Sequence, residues 1–272
     1  MNIDRGQQTA RRSEDSNKIA PPDKRHLWDK RAQEFSEHSV STGYPEAFIR
    51  LMRPRKTWTV FDMGCGGGTI AVPLAKRVKS VTAADFSEKM LAIVDRRCKD
   101  TGILNVKTVL KSWEDNWELK AGSYDVAIAS RSLTGDGAKD FITKLDRIAQ
   151  RAVYISTIVG TGPFDKRLFE STGRKFDAAE DYIYFYTMLY KMGIRANIAF
   201  IREEHTNQWD SHEDAFEDQR WMFHGMTKKE EDKVHIYLKR HLIQVMGHWR
   251  LPYSRDCYWA IMWWTKDRRF YR

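Results

Sequence analysis

The run Val60-Phe61-Asp62-Met63-Gly64-Cys65-Gly66-Gly67-Gly68-Thr69 constrains this chain more than any other stretch. It reads as a short buried strand, a glycine-rich turn and the start of a helix. A second strand, Val81-Thr82-Ala83-Ala84-Asp85, follows and ends in an acid. Glycines let a ligand approach the backbone, and helix amides point at whatever binds there. An acid about 20 residues beyond such a turn suits a ribose diol, which needs an acceptor for two hydroxyls. An adenosine-containing cofactor is expected.

Glycine spacing separates the classes of cofactor. A dinucleotide fingerprint carries a third glycine five positions after the first. Here the first is Gly64 and the corresponding position is Thr69; the remaining glycines are 66, 67 and 68. Asp62 stands at the tip of the first strand. It would repel a pyrophosphate and attract an ammonium group.

With that acid followed by a G-x-G-x-G turn, the sequence resembles the class I S-adenosylmethionine-dependent methyltransferases. The resemblance covers residues 57–159 by motif and is topological beyond them. It implies a Rossmann-like α/β fold: a seven-stranded, mostly parallel sheet, its last strand antiparallel, with helices on both faces. It implies S-adenosyl-L-methionine as cofactor. Asp62 would hold the methionine ammonium, directly or through water. Gly64 and Gly66 would admit the aminoacyl group, with Cys65 between them as a small residue tolerated in a tight turn. Asp85 would accept both ribose hydroxyls. Phe86 would lie against the adenine or serve as a core residue. After strand three the family often places an acid for the adenine amino group. Here Ser112 takes that place, with Glu114 in the same turn and the Trp113 amide beside it. Ser130, at the end of strand four, would complete the crevice.

Alternation of strand and helix supports the same architecture. Strands are expected at Thr57–Met63, Ser80–Asp85, Val106–Leu110, Asp125–Ala129 and Ala152–Ile158, with later ones at Arg195–Glu203 and Cys257–Thr265. Helices are expected at Lys24–His38, Tyr44–Met52, Thr69–Val78, from Ser87 to Gly102, and at Gly137–Gln150. The run Trp28–Phe35 resembles the leading helix that covers the cofactor in many small-molecule methyltransferases. Residues 1–22 are polar, lack periodicity and are expected to be a disordered tail. Residues 23–56 form capping helices and 57–272 the methyltransferase domain. Within it, 164–193 reads as helical, and 207–250, with two amphipathic helices within 211–246, is an insertion between the last two strands. Both segments are candidates for a lid or a dimer surface.

The acceptor side is less legible. Strand four ends Ala129-Ser130-Arg131-Ser132-Leu133 and lacks the Asn or Asp, paired prolines and aromatic residue of enzymes that methylate the adenine amino group. Arg131 would clamp an anionic substrate or form a surface ion pair. No obligatory base is evident; Tyr44, Arg131 and His205 are the candidates. The eight histidines offer no i, i+4 metal pair among His235, His241 and His248, and no metal is expected.

The 272 residues carry a formal net charge of +9. That charge is dispersed: residues 201–226 hold 2 basic and 7 acidic side chains, and residues 227–272 hold 11 and 5. The pattern fits an ordinary solvated surface better than a nucleic-acid face. A small-molecule acceptor is expected, with an RNA methyltransferase or a non-catalytic cofactor-binding module as the alternatives. Three scattered cysteines, no apolar span and no leader-like N-terminus point to a cytoplasmic protein.

Overall fold

The computed structural model describes residues 28–29, 32–33, 36, 42–135, 137–176, 180–205, 208–223 and 225–266, with the side chains of 204 and 205 excepted. The polar tail 1–22 and most of the helix expected at Lys24–His38 therefore lie outside the described residues.

The chain builds one seven-stranded sheet and a short two-stranded one. In chain order the large sheet comprises β1 (Thr59–Met63), β2 (Ser80–Asp85), β3 (Val106–Leu110), β4 (Tyr124–Ser130), β5 (Ala149–Ile158), β6 (Asn197–His205) and a final strand, β9 (Arg255–Thr265). β7 (Ile243–Val245) and β8 (His248–Arg250) form the small hairpin between β6 and β9. The spatial order is β3-β2-β1-β4-β5-β9-β6. β1 pairs in parallel with both β2 and β4, while β9 runs antiparallel to β5 and to β6. This is the expected seven-stranded, mostly parallel arrangement. Because the chain leaves β1 toward β2 and returns to β4 on its other side, a crevice opens beyond the carboxyl ends of β1 and β4.

Strand alternation divides the core. Val60, Tyr154 and Ile261 face the layer of α1 (Tyr44–Met52), α2 (Ala71–Ala75) and α3 (Glu88–Asp100). Phe61, Val153, Ile155 and Met262 face α4 (Ala138–Ile148) and α6 (Tyr182–Lys191). The neighbouring tryptophans near the end of β9 illustrate the period of two. Trp264 is buried on the α4 side and donates its indole N–H to Asp146 at 2.8 Å. Trp263 lies on the other face, stacked on Tyr154 at 6.3 Å.

A third cluster stands apart from the sheet. Leu168 of α5 (Lys166–Ser171) packs with Phe216 of α7 (His212–Gln219), Val234 and Leu238 of α8 (Lys228–His241), and Trp209 and Leu242. A capping box at Thr227 and Glu230 starts α8. Arg174 grips that same Glu230 with two bonds, of 2.6 and 2.8 Å, fastening the loop after α5 to α8. The segment 164–193 thus divides: α5 joins this accessory cluster, whereas α6 joins the core of the sheet.

Two local readings need correction. The helix expected over Thr69–Val78 is helical only over Ala71–Ala75, because Gly68 is left-handed (φ 81°) and turns flank the short helix. The helical stretch expected to reach residue 246 ends at His241. Met246 and Gly247, with φ of 51° and 86°, then make the two-residue turn that favours a hairpin.

Candidate active site

β1 delivers Asp62 into the crevice. Asp62 is 1% exposed and both its carboxylate oxygens lack a hydrogen-bond partner. Burial, reinforced by the nearby Asp85, pushes its pKa up to about 7. A carboxylate left without a donor is costly inside a protein, so this position is built to receive a cationic or hydrogen-bonding ligand.

The turn after β1 is held against β2. The N–H groups of Gly64 and Cys65 both donate to the carbonyl of Ala84, at 2.8 and 3.0 Å. Gly64 needs its left-handed φ of 67°, and a Cβ there would lie 2.4 Å from Cβ of Ser132. Gly66 is also left-handed, at φ 53°. Its N–H donates to Asp85 Oδ2 at 2.9 Å, and the N–H of Ser87 donates to Oδ1 at 3.0 Å. Burial nonetheless raises the Asp85 pKa, and these amides only partly oppose it. Since an ionised carboxylate offers about four acceptor sites, capacity remains on Asp85 for further donors. Cys65 is buried beside the two acids, and burial pushes its thiol pKa well up, which argues against a thiolate nucleophile.

Phe86 follows Asp85, is half-buried and belongs to neither sheet core. The turn after β3 is tied up locally. Ser112 Oγ donates to Glu114 at 2.7 Å, and the Ser112 N–H donates to Asp115 at 2.7 Å. The Trp113 ring stacks on Phe141 with centroids 5.0 Å apart and donates its indole N–H to Ser132 O at 3.2 Å.

The acceptor side gathers residues from five elements at the same sheet edge. Tyr44, fully buried, has its hydroxyl 2.8 Å from Ser130 Oγ and 2.6 Å from Ser156 Oγ. Burial raises the Tyr44 pKa, although Arg131 and the two serines oppose the rise. Trp259 meets the Tyr44 ring edge-on at 5.9 Å and donates its indole N–H to Glu203 Oε2 at 2.5 Å. Glu203 Oε1 is buried without a partner. The Arg131 guanidinium lies 4.3 Å from the Tyr44 ring centre and 5.1 Å from that of Trp259. His205 closes β6 opposite Arg255, and its side chain lies outside the described residues.

Tyr44, Ser130 and Arg131 thus come together. Ser156, Trp259 and Glu203 join them without having been foreseen from sequence. Ser156 did leave a trace, as a polar residue in a mostly apolar strand, whereas Glu203 is masked by the charged run Arg202–His205; their convergence depends on the order of β5, β9 and β6.

Residues 60–151 match the Methyltransferase domain family. An uncharacterized protein of Haemophilus influenzae is 32% identical over 246 residues, covering 89% of each chain. A ubiquinone biosynthesis O-methyltransferase of Hydrogenovibrio crunogenus is 30% identical over 106 residues, 39% of this chain and 43% of that enzyme. An uncharacterized RNA methyltransferase of Lactococcus lactis, YwfF, is 30% identical over 133 residues, 47% of this chain and 25% of that protein. Among solved structures, BH2331 of Bacillus halodurans C-125 superposes with a TM-score of 0.58 at 14% identity, covering 82% of this chain and 98% of that one. Residues 60–151 thus form a methyltransferase domain, and the chain has the class I S-adenosylmethionine-dependent methyltransferase fold.

The crevice of this methyltransferase fits its cofactor. The bare oxygens of Asp62 match an ammonium group, the left-handed glycines leave the backbone open to approach, and no phosphate has to be accommodated. Among the described residues, no helix is long and apolar enough to cross a membrane.

Proposed function

We propose that this methyltransferase acts on a small molecule held between α1, the end of β4 and the β6–β9 pair. The observation that carries the reading is the enclosure of the acceptor side. Tyr44, Trp259 and Glu203 are 0%, 8% and 7% exposed. A site for a polynucleotide needs an open, basic track along a backbone, whereas these three residues are buried, with one cation, Arg131, over the two aromatic rings. Similarity to a small-molecule O-methyltransferase points the same way. The likeness to an RNA methyltransferase spans a quarter of that protein.

Asp62 would pair with the methionine ammonium, with the Gly64–Gly66 backbone alongside. Asp85 would accept the ribose hydroxyls and Phe86 would cover the adenine. Ser112 and Trp113 flank that end, although the Ser112 hydroxyl is already engaged by Glu114. When bound, S-adenosylmethionine supplies a methyl group made electrophilic by its sulfonium. The protein's part is then to align the acceptor and exclude water. Tyr44, kept protonated by burial and anchored by Ser130 and Ser156, positions rather than deprotonates. The chain's own candidates for taking up a proton are therefore few, which suits an acceptor atom that is nucleophilic or readily ionised.

The accessory cluster supports a covering role. The chain enters it from the carboxyl ends of β5 and β6 and leaves it into the start of β9, all at one edge of the sheet. Asp165 ties it down, accepting from Tyr253 at 3.0 Å and lying 3.8 Å from Arg255. We read it as a lid that also offers surface for a second copy. Three cysteines free of disulfides fit a cytoplasmic setting.

Incubation with methyl-labelled S-adenosylmethionine and a size-fractionated cell extract tests the acceptor class. Label in the low-molecular-weight fraction is expected. Label confined to RNA, or no transfer despite cofactor binding, would overturn the small-molecule reading.

A further inference from the structure

We propose that Arg131 is a specificity-determining residue that selects an acceptor bearing an oxyanion, a carboxylate or a phosphate, next to an apolar body. The proposal rests on the methyltransferase reading and names the chemistry of its acceptor. Three observations carry it.

The first is the backbone. Arg131 is one of four non-glycine residues with positive φ among the described residues, at 57°. It is fixed there by its own N–H, which donates to Ser156 O at 3.1 Å and lies 3.0 Å from Ser156 Oγ. A long side chain held in the left-handed region at the mouth of a ligand crevice marks a position whose direction matters more than its local comfort.

The second is the state of its guanidinium. It is half-buried over two aromatic rings, yet it makes no hydrogen bond or ion pair among the described residues. The neighbouring acid does not use it, because Glu203 lies beyond ion-pair range and gives its Oε2 to the Trp259 indole. Another arginine at this edge, Arg255, is spent on Asp165 and on the carbonyl of Pro163, 3.4 Å away. Ring stacking uses the flat face of a guanidinium and leaves its in-plane N–H fork for a bidentate oxyanion.

The third is the surrounding charge. Glu203 is buried with a bare oxygen, and it and Arg131 both act electrostatically on Tyr44. An acceptor whose oxyanion failed to meet Arg131 would face Glu203 without compensation, so the pair rejects misoriented anions. The apolar body follows from the walls, the rings of Tyr44 and Trp259.

The test uses the full chain saturated with S-adenosylhomocysteine and titrated calorimetrically with benzoate, phenyl phosphate and benzyl alcohol. At least one oxyanion is expected to bind tenfold or more tightly than the alcohol, and whichever is preferred tells carboxylate from phosphate. Arg131→Gln is expected to remove that preference and Arg131→Lys to retain part of it, with S-adenosylhomocysteine affinity unchanged in both. Equal affinity for anions and alcohol in the unaltered protein, or an anion preference that survives in Arg131→Gln, overturns the proposal. A second measurement needs no variant: phenylglyoxal modification of Arg131, followed by peptide mass spectrometry, is expected to slow in the preferred anion and not in benzyl alcohol. Equal rates overturn the proposal. Failure of S-adenosylhomocysteine to bind at all would strike the methyltransferase reading instead.

Discussion

Asp85 accepts the backbone N–H of Gly66 at 2.9 Å, so the acid at the end of β2 shapes the glycine turn at the end of β1. One side chain therefore both builds the crevice and would bind within it. Asp85→Ala removes an anchor of the turn together with the proposed ribose acceptor. Hydrogen bonds to a charged partner contribute about 1.5–3 kcal/mol each. The substitution is thus expected to weaken S-adenosylmethionine binding by roughly two orders of magnitude, as read by calorimetry.

As the proposed partner of the cofactor's ammonium, Asp62 is expected to make cofactor affinity depend on pH. Its folded pKa is raised to about 7, so it must lose a proton before it can pair with an ammonium. Affinity is expected to climb as pH rises toward 7. It should fall again above about pH 8, where α-amino groups deprotonate. Asp62→Asn should weaken binding and flatten the acidic limb in calorimetric titrations across pH. For the cofactor-free protein the sign is opposite. Between the unfolded value near 3.9 and the folded value the native state holds the extra proton, so this residue's contribution to stability falls as pH rises through that window. Cofactor-free Asp62→Asn should therefore melt higher than the unaltered protein at pH 8.

Gly64→Ala should be severe. The new Cβ would meet Ser132 at 2.4 Å in a left-handed backbone. Strain of this kind costs on the order of 1–3 kcal/mol. A lower melting temperature and loss of cofactor binding are expected. Gly122→Ala is a useful comparison: its φ is 67° but no atom lies within 4 Å of the added Cβ, so it should cost less and leave binding intact.

Much of this crevice was legible in the sequence because its parts are local. Val60–Asp85 is a strand, turn, helix and strand whose glycines and acids act within 25 residues of one another, and the strand bounds Ser80–Asp85 and Val106–Leu110 were read without error. The acceptor side was not legible, because its neighbours come together only through the sheet order. Tyr44 and Ser156 are 112 positions apart and bond at 2.6 Å, and Glu203 meets Trp259 across two antiparallel strands. The hairpin at Ile243–Arg250 was missed for another reason: three-residue strands carry too little alternation, and only the Met246-Gly247 turn marks them.

The N-terminal segment bears on the glycine turn. Asp29 accepts from Ser87 Oγ at 2.5 Å, and Arg97 donates to both the Gly67 and the Ser36 carbonyls. Removing residues 1–22 is expected to leave S-adenosylmethionine affinity unchanged, whereas removing residues through His38 should lower it about tenfold, the loss of one to two such bonds. Equal affinities for the two truncated proteins would speak against a capping role.

The choice of Asp62 over a phosphate-binding turn underlies the whole account, and paired titrations test it most directly. Calorimetry of the full chain with S-adenosylmethionine and with NAD should give one site for the sulfonium compound and no binding of the dinucleotide. Binding of NAD, or no heat with S-adenosylmethionine at any pH between 6 and 8, where Asp62 and the ligand's ammonium can carry opposite charge, would contradict it.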